Sequence, residues 1–199
     1  LRFMKDNRLH GRLVVSFDWA QYALAALVED TTVGFDGRFR TCYPQDVIDM
    51  TFDLTNGRDQ RWRSRGDASG PVDPTRVLDF QTPNLVLLDR HLDAPGVSVM
   101  QQQPDWVLLY QDGISQLWGR SATYDSAGSD SYVPPALRQI HDRLPQGIAA
   151  WPGFPNRTGR HAFVTSRSVS SPTHDVASRN QSVISQTATQ LDSQATSIQ

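Results

Sequence analysis

Gly11 to Tyr43 reads GRLVVSFDWAQYALAALVEDTTVGFDGRFRTCY, and the pattern of this stretch decides the fold. Leu13 to Phe17 (LVVSF) is a short, β-branched apolar run, the mark of a buried strand. Trp19 to Val28 follows with Trp19, Tyr22, Ala23, Ala26 and Leu27 at three- and four-residue spacing, which forms one apolar helix face. Glu29 and Asp30 place like charge at the negative end of the helix dipole. Tertiary packing must therefore hold that end. Thr32 to Phe35 (TVGF) is a second strand, and Asp36-Gly37-Arg38 turns the chain away from it. A connection that contains a helix is too long for a hairpin. The two strands are expected to run parallel through a right-handed crossover.

Leu1 to Arg8 on one side of this unit reads as a short helix that stops near Gly11. On the other side, Pro44 to Leu54 is a helix with Pro44 at its first position and Val47, Ile48, Thr51 and Phe52 on one face. Arg58 to Asp73 is a polar loop with four arginines. Asp73-Pro74-Thr75 opens a short helix carrying Val77 and Leu78. Asn84 to Leu88 is a third strand of the parallel type, ended by Asp89-Arg90-His91. Val97 to Gln103 is a short helix or turn. Trp106 to Tyr110 and Ile114 to Trp118 form a hairpin across Asp112-Gly113, a strong turn signal. Pro134 to Leu144 is expected to be one more helix, with Leu137, Ile140 and His141 on a face.

These readings predict an α/β domain over residues 1–122. It is a small, three-layer, Rossmann-like sheet of three parallel strands plus a C-terminal antiparallel hairpin. Residues 123–151 are expected to be a loop and short helix on or beside it. Residues 152–199 are rich in Ser, Thr, Gln and Asn, too poor in apolar surface to offset ordering entropy, and are expected to be disordered.

The chain has 199 residues and a net charge of -2. So balanced a chain has no electrostatic reason to seek nucleic acid. The one cysteine, Cys42, excludes an internal disulfide and is expected to be a small, half-buried residue beside Tyr43. No apolar run approaches the roughly 20 residues needed to span a bilayer. The sequence starts at Leu1 rather than methionine and is expected to be a fragment, which leaves room for a targeting or membrane segment upstream.

Ligands of open parallel sheets bind beyond the carboxyl ends of the strands. Three strands here end in Asp18-Trp19, Asp36-Gly37-Arg38 and Asp89-Arg90-His91. Asp18, Trp19, Tyr22, Asp36, Arg38, Asp89, Arg90 and His91 are therefore candidates for one polar rim. Plainer roles stand beside this one. Asp18 suits a helix N-cap, Asp36 suits pairing with Arg38, and His91 suits simple exposure. Arg61, Arg63 and Arg65 match the fork geometry that grips phosphate or sulfate, or else form a solvated loop. There is no G-x-G-x-x-G after the first strand and no G-x-x-x-x-G-K-[ST]. A G-x-S-x-G elbow and metal-ligand spacing are missing too. No cofactor or metal is implied. Asn156-Arg157-Thr158 and Asn180-Gln181-Ser182 match the glycosylation acceptor pattern, which carries meaning only in a secretory context.

The order apolar strand, F-D-W-x-x-Y-x-L, apolar strand, F-D-G-R, then N-L-V-L-L and W-V-L-L-Y-Q-D-G spans about Leu1 to Arg120. It resembles the soluble C-terminal region of bacterial multi-pass membrane proteins related to lipid-linked-sugar glycosyltransferases, the protein-mannosyltransferase-like class. Asp18, Trp19, Tyr22, Asp36, Gly37, Arg38, Trp106, Tyr110 and Asp112 match that pattern. Ala20 stands where the family usually has glycine, and a second tryptophan late in the helix is missing. In that class the catalytic acid lies on an early loop of the membrane part, and no residue here corresponds to it. The resemblance implies a non-catalytic domain on the extracytoplasmic (periplasmic) face of a cell-membrane protein. Its partners would be the membrane part upstream of Leu1 and a lipid-linked sugar or acceptor. The residues also leave room for an independent α/β enzyme acting on an anionic small molecule, with Asp36 as acid or base, and for a plain interaction scaffold.

Overall fold

The computed structural model describes residues 1–58 and 64–145. They lie within one unit, Leu1–Arg157. The tail expected over 152–199 falls outside the described residues, as do Arg61 and Arg63.

The domain is α/β. Strands β1 (Gly11–Val15), β2 (Thr31–Val33), β3 (Leu85–Asp89), β4 (Trp106–Gln111), β5 (Ser115–Arg120) and β6 (Gln139–Ile140) form a mixed sheet in the order β2-β1-β3-β5-β4-β6. β1 pairs in parallel with β2 and with β3. β5 runs antiparallel to both β3 and β4, and β6 lies parallel to β4. The helices are α1 (Arg2–Asp6), α2 (Phe17–Leu27), α3 (Gln45–Asn56), α4 (Arg76–Asp79), α5 (Ala94–Met100) and α6 (Ser121–Tyr124).

Register sorts the apolar residues into two cores. Leu13 pairs with Val33 and Leu85, and Val14 pairs with Val86. Successive side chains of a strand point to opposite faces. Leu13, Val15, Leu85 and Leu87 accordingly join Phe3, Met4, Ala20, Ala23, Leu27 and Tyr124 on one face. Val14, Val86 and Leu88 join Met50, Leu54, Val77, Leu78 and Met100 on the other. Every residue of β3 is buried, as a central strand covered on both faces requires.

Several expectations need correction. β1 ends at Val15, and Ser16, not Asp18, is the N-cap residue of α2. Ser16 still bonds to the sheet, donating its N–H to the Leu87 carbonyl at 3.0 Å, while its own carbonyl accepts from Trp19 N–H. The helix therefore starts two residues earlier than expected, and Asp18 falls in its exposed first turn. Tyr22 is 39% exposed, whereas Ala20, Ala23 and Ala26 are buried. Small alanines let α2 lie close on the sheet and push the bulky tyrosine outward. Pro44 is the N-cap of α3 rather than its first helical residue. Cys42 is exposed.

The helix expected over Pro134 to Leu144 is a single 3-10 turn, Pro135–Leu137, followed by β6. Leu137 is 55% and Ile140 53% exposed, so the supposed apolar face has nothing to pack on. The open edge of β4 provides an alternative. His141 N–H donates to the Gln111 carbonyl at 3.1 Å, and Gly113 N–H donates to the Arg143 carbonyl at 2.9 Å. Unpaired strand edges recruit such partners.

Candidate functional site

The carboxyl ends of β1 and β3 lie side by side, and here the strand order reverses. The chain leaves β1 for β2 on one side and returns to β3 on the other. Such a switch point is where open α/β sheets offer a crevice. Asp89 N–H donates to Ser16 Oγ at 2.7 Å and to Asp93 Oδ2 at 3.0 Å. The Ser16 hydroxyl donates to the same Asp93 carboxylate. The Asp89 carboxylate accepts from His91 N–H at 2.8 Å and Leu92 N–H at 2.9 Å, closing the turn after β3. Burial pushes the Asp93 carboxyl above the usual range; the Ser16 and Asp89 hydrogen bonds oppose this, and the nearby charges of Asp89 and Asp18 add to it. Asp18 and Asp89 are thus brought to one place, around Asp93. The sequence reading missed Asp93, although an Asp four residues after a strand-ending Asp, in DRHLD, was the available signal.

Asp36 forms a separate network. Its carboxylate is buried and accepts from Arg38 Nε at 2.9 and 3.1 Å, from Arg38 Nη2 at 2.6 Å, from Arg38 N–H at 2.9 Å and from the Tyr43 hydroxyl at 2.9 Å. The Arg38 side-chain hydrogen bonds come first among the causes that hold the Asp36 carboxyl down at about 2, against the opposing pull of burial. Burial and the hydrogen bond to Asp36 push the Tyr43 phenol up. Beneath this network Phe35 stacks on Phe17 with centroids 5.5 Å apart, and Phe39 and Phe52 close the aromatic cluster. Tyr43 also contacts Phe35 at 5.1 Å. The chain between β2 and α3 is therefore anchored to the start of α2.

Arg90 and His91 turn toward the hairpin. Arg90 Nη1 donates to the Asp112 carbonyl at 2.5 Å and pairs with Asp142 at 2.8 Å. A His91 ring nitrogen lies 3.0 Å from the Gly113 carbonyl. Inside that turn the Asp112 carboxylate accepts from Tyr110 Oη, Ile114 N–H and Ser115. Burial would raise its pKa, but these hydrogen bonds prevail and hold it below the ordinary value. Trp19 packs against the core of its sheet face.

Two further buried acids were not anticipated. Asp49 and Asp53 on α3 face the polar loop that follows it. Asp49 accepts from Gly66 N–H at 2.8 Å and Ser69 Oγ at 2.5 Å. Asp53 pairs with Arg65 and accepts from Asp73 N–H at 3.1 Å. Arg65 also donates to the Gly70 carbonyl at 3.0 Å. Arg65 thus serves as an internal tie rather than an open anion clamp.

A cleft of about 580 Å³ lies over β1 and β2, walled by Val47, Met50 and Thr51 of α3 and by Val77 and Phe80 at α4. Its floor includes Arg12, Val14 and Thr32. Tyr43 closes the end nearest the Asp36 network, and Gln81 and Pro83 flank the other end. No sequence motif marks this cleft, because its lining comes from stretches of chain as far apart as Arg12, Thr32, Val47 and Phe80.

Among the described residues no cluster of three or more His, Cys, Asp or Glu could hold a metal ion, and no helix is long and apolar enough to cross a membrane. Comparison with protein families, curated proteins and solved structures finds no match for this chain.

Proposed function

We propose that this chain is a non-catalytic, extracytoplasmic accessory domain of a polytopic, glycosyltransferase-like membrane protein. It shapes the access of an acceptor or a lipid-linked sugar to a catalytic centre in the membrane part of the same polypeptide. In this reading the sheet is a small Rossmann-like core of three parallel strands with an antiparallel hairpin added.

The observation that carries the reading is the state of Asp36. The F-D-G-R segment, one of the motifs that carry the family resemblance, folds into a closed knot. Its carboxylate receives five hydrogen bonds from Arg38 and Tyr43. A general acid or base needs a carboxyl that exchanges protons near working pH, and one held at about 2 does not. The segment is better suited to fixing a loop than to chemistry. The rival reading, an enzyme with Asp36 as acid or base and Arg38, Arg61 and Arg63 as anion clamps, loses support at Asp36 and Arg38, which are engaged with each other; Arg61 and Arg63 lie outside the described residues.

The test is cell fractionation of the full-length gene product, joined to reading the coding sequence upstream of Leu1. The expected outcome is several apolar spans upstream and a protein that stays with membranes through a high-salt wash. A full-length protein recovered in the soluble fraction would overturn the proposal.

A further inference from the structure

We propose that the cleft over β1 and β2 binds a small amphipathic anion, with its apolar body along Val14, Val47, Met50 and Val77 and its carboxylate at Arg12. The inference stands on the cleft alone and does not depend on a membrane parent.

The volume of about 580 Å³ falls among ordinary small-molecule pockets. Its origin is in the topology. α2 packs on one face of β2, while on the other face Thr32 remains exposed. Helices α3 and α4 wall that corner without filling it. Arg12 pairs in register with Thr32 and shares a face with Val14 by strand alternation. The floor thus runs from a guanidinium, past a valine, toward the ring of Tyr43 over about 10 Å, three strand residues at ~3.3 Å each.

The sign of the ligand charge follows from the lining. Arg12 is the one charged side chain among the described residues around the cleft. Its Nη1 donates to the Gln81 carbonyl and to Thr82 Oγ1. Its Nε and Nη2 make no hydrogen bond among the described residues. A guanidinium held by one nitrogen, with two other donors available, is suited to a carboxylate.

The turn that Arg12 holds is a second, independent observation. Gln81 and Thr82 have φ of 54° and 49°, left-handed backbone at two consecutive non-glycine residues. Thr is β-branched and disfavours this region strongly. Such strain collects at ligand clamps, and Phe80, Gln81 and Pro83 of this turn line the cleft.

Titration calorimetry of the full chain with octanoate, 1-octanol and acetate tests the proposal. Octanoate is expected to bind saturably at one site, with octanol and acetate each at least tenfold weaker. Arg12→Gln is expected to weaken octanoate at least tenfold while leaving octanol unchanged, and Arg12→Lys to recover part of the loss. Thr32→Trp, which plugs the cleft from the exposed edge strand with little risk to folding, is expected to remove octanoate binding. Thermal melts establish that each variant is folded. Absence of saturable octanoate binding in the millimolar range would overturn the proposal. So would acetate or octanol binding as tightly as octanoate, or a folded Thr32→Trp variant that binds normally.

Discussion

The Asp36 carboxylate is 1% exposed, while its partner Arg38 keeps 54% of its side chain in solvent. A pair of this kind gains from charge-assisted hydrogen bonds, yet solvent on the arginine side screens part of the attraction. Asp36→Asn is expected to cost about 2 kcal/mol, the size of the depression in its pKa. The sign follows from the direction of the shift. The folded-state value, about 2, lies below the ordinary 3.8. The contribution is therefore complete above that ordinary value and disappears as pH falls from about 4 to 2. Urea titrations of the two proteins should differ at pH 6 and converge near pH 2. At Gln81 the native backbone conformation opposes stability, with φ of 54°. Gln81→Gly removes a side chain from left-handed geometry and should raise stability by about 0.5–1 kcal/mol in the same assay. The Asp36–Arg38 pair was legible in the sequence because its partners are two residues apart. Asp93 was not, since Ser16, which holds it, lies 77 positions away.

At the scale of elements, β5 shows how tightly the hairpin is fitted. A Cβ on Gly119 would lie 2.5 Å from Tyr124 Cδ2 and 2.7 Å from Leu109 Cδ1. Both neighbours are buried, so neither can retreat into solvent. Gly119→Ala is expected to cost about 2 kcal/mol, within the usual range for overpacking, read from the denaturant midpoint. The hairpin and the strand–helix–strand unit were legible because each is specified locally, by Asp112-Gly113 and by a change of apolar period. The segment after Pro134 was misread for the same reason. Leu137, Ile140 and His141 have helical spacing, but spacing reports only a face. Whether any surface receives that face is decided by β4, whose free edge took the backbone instead.

Across the whole domain the two cores are backed onto one sheet, so they should not unfold apart. Leu27 and Leu54 lie in different cores and are both buried. Leu27→Ala and Leu54→Ala are each expected to cost about 2–5 kcal/mol. Circular dichroism and tryptophan fluorescence should follow a single coincident transition in each variant. Two separated transitions would mean that the faces behave as independent units. At this scale the α/β class was readable from alternating strand and helix patterns. The cleft was not, because an unfilled corner is a property of how helices settle rather than of any one stretch.

Asn84 has a consequence for how the molecule is made. Its N–H donates to the Arg12 carbonyl at 2.9 Å, its side-chain oxygen accepts from Arg12 N–H at 2.9 Å, and its carbonyl accepts from Arg120 N–H at 3.0 Å. One residue thus fastens three strands that are far apart along the chain. During synthesis from the N-terminus, β1 and β2 emerge long before the middle of their own sheet exists. The open flank of β1 must wait, solvated and sticky, until the ribosome has delivered some seventy more residues. Non-local pairing of this sort slows folding and exposes nascent edges. The growing polypeptide is therefore most vulnerable to self-association in the interval just before Asn84 appears.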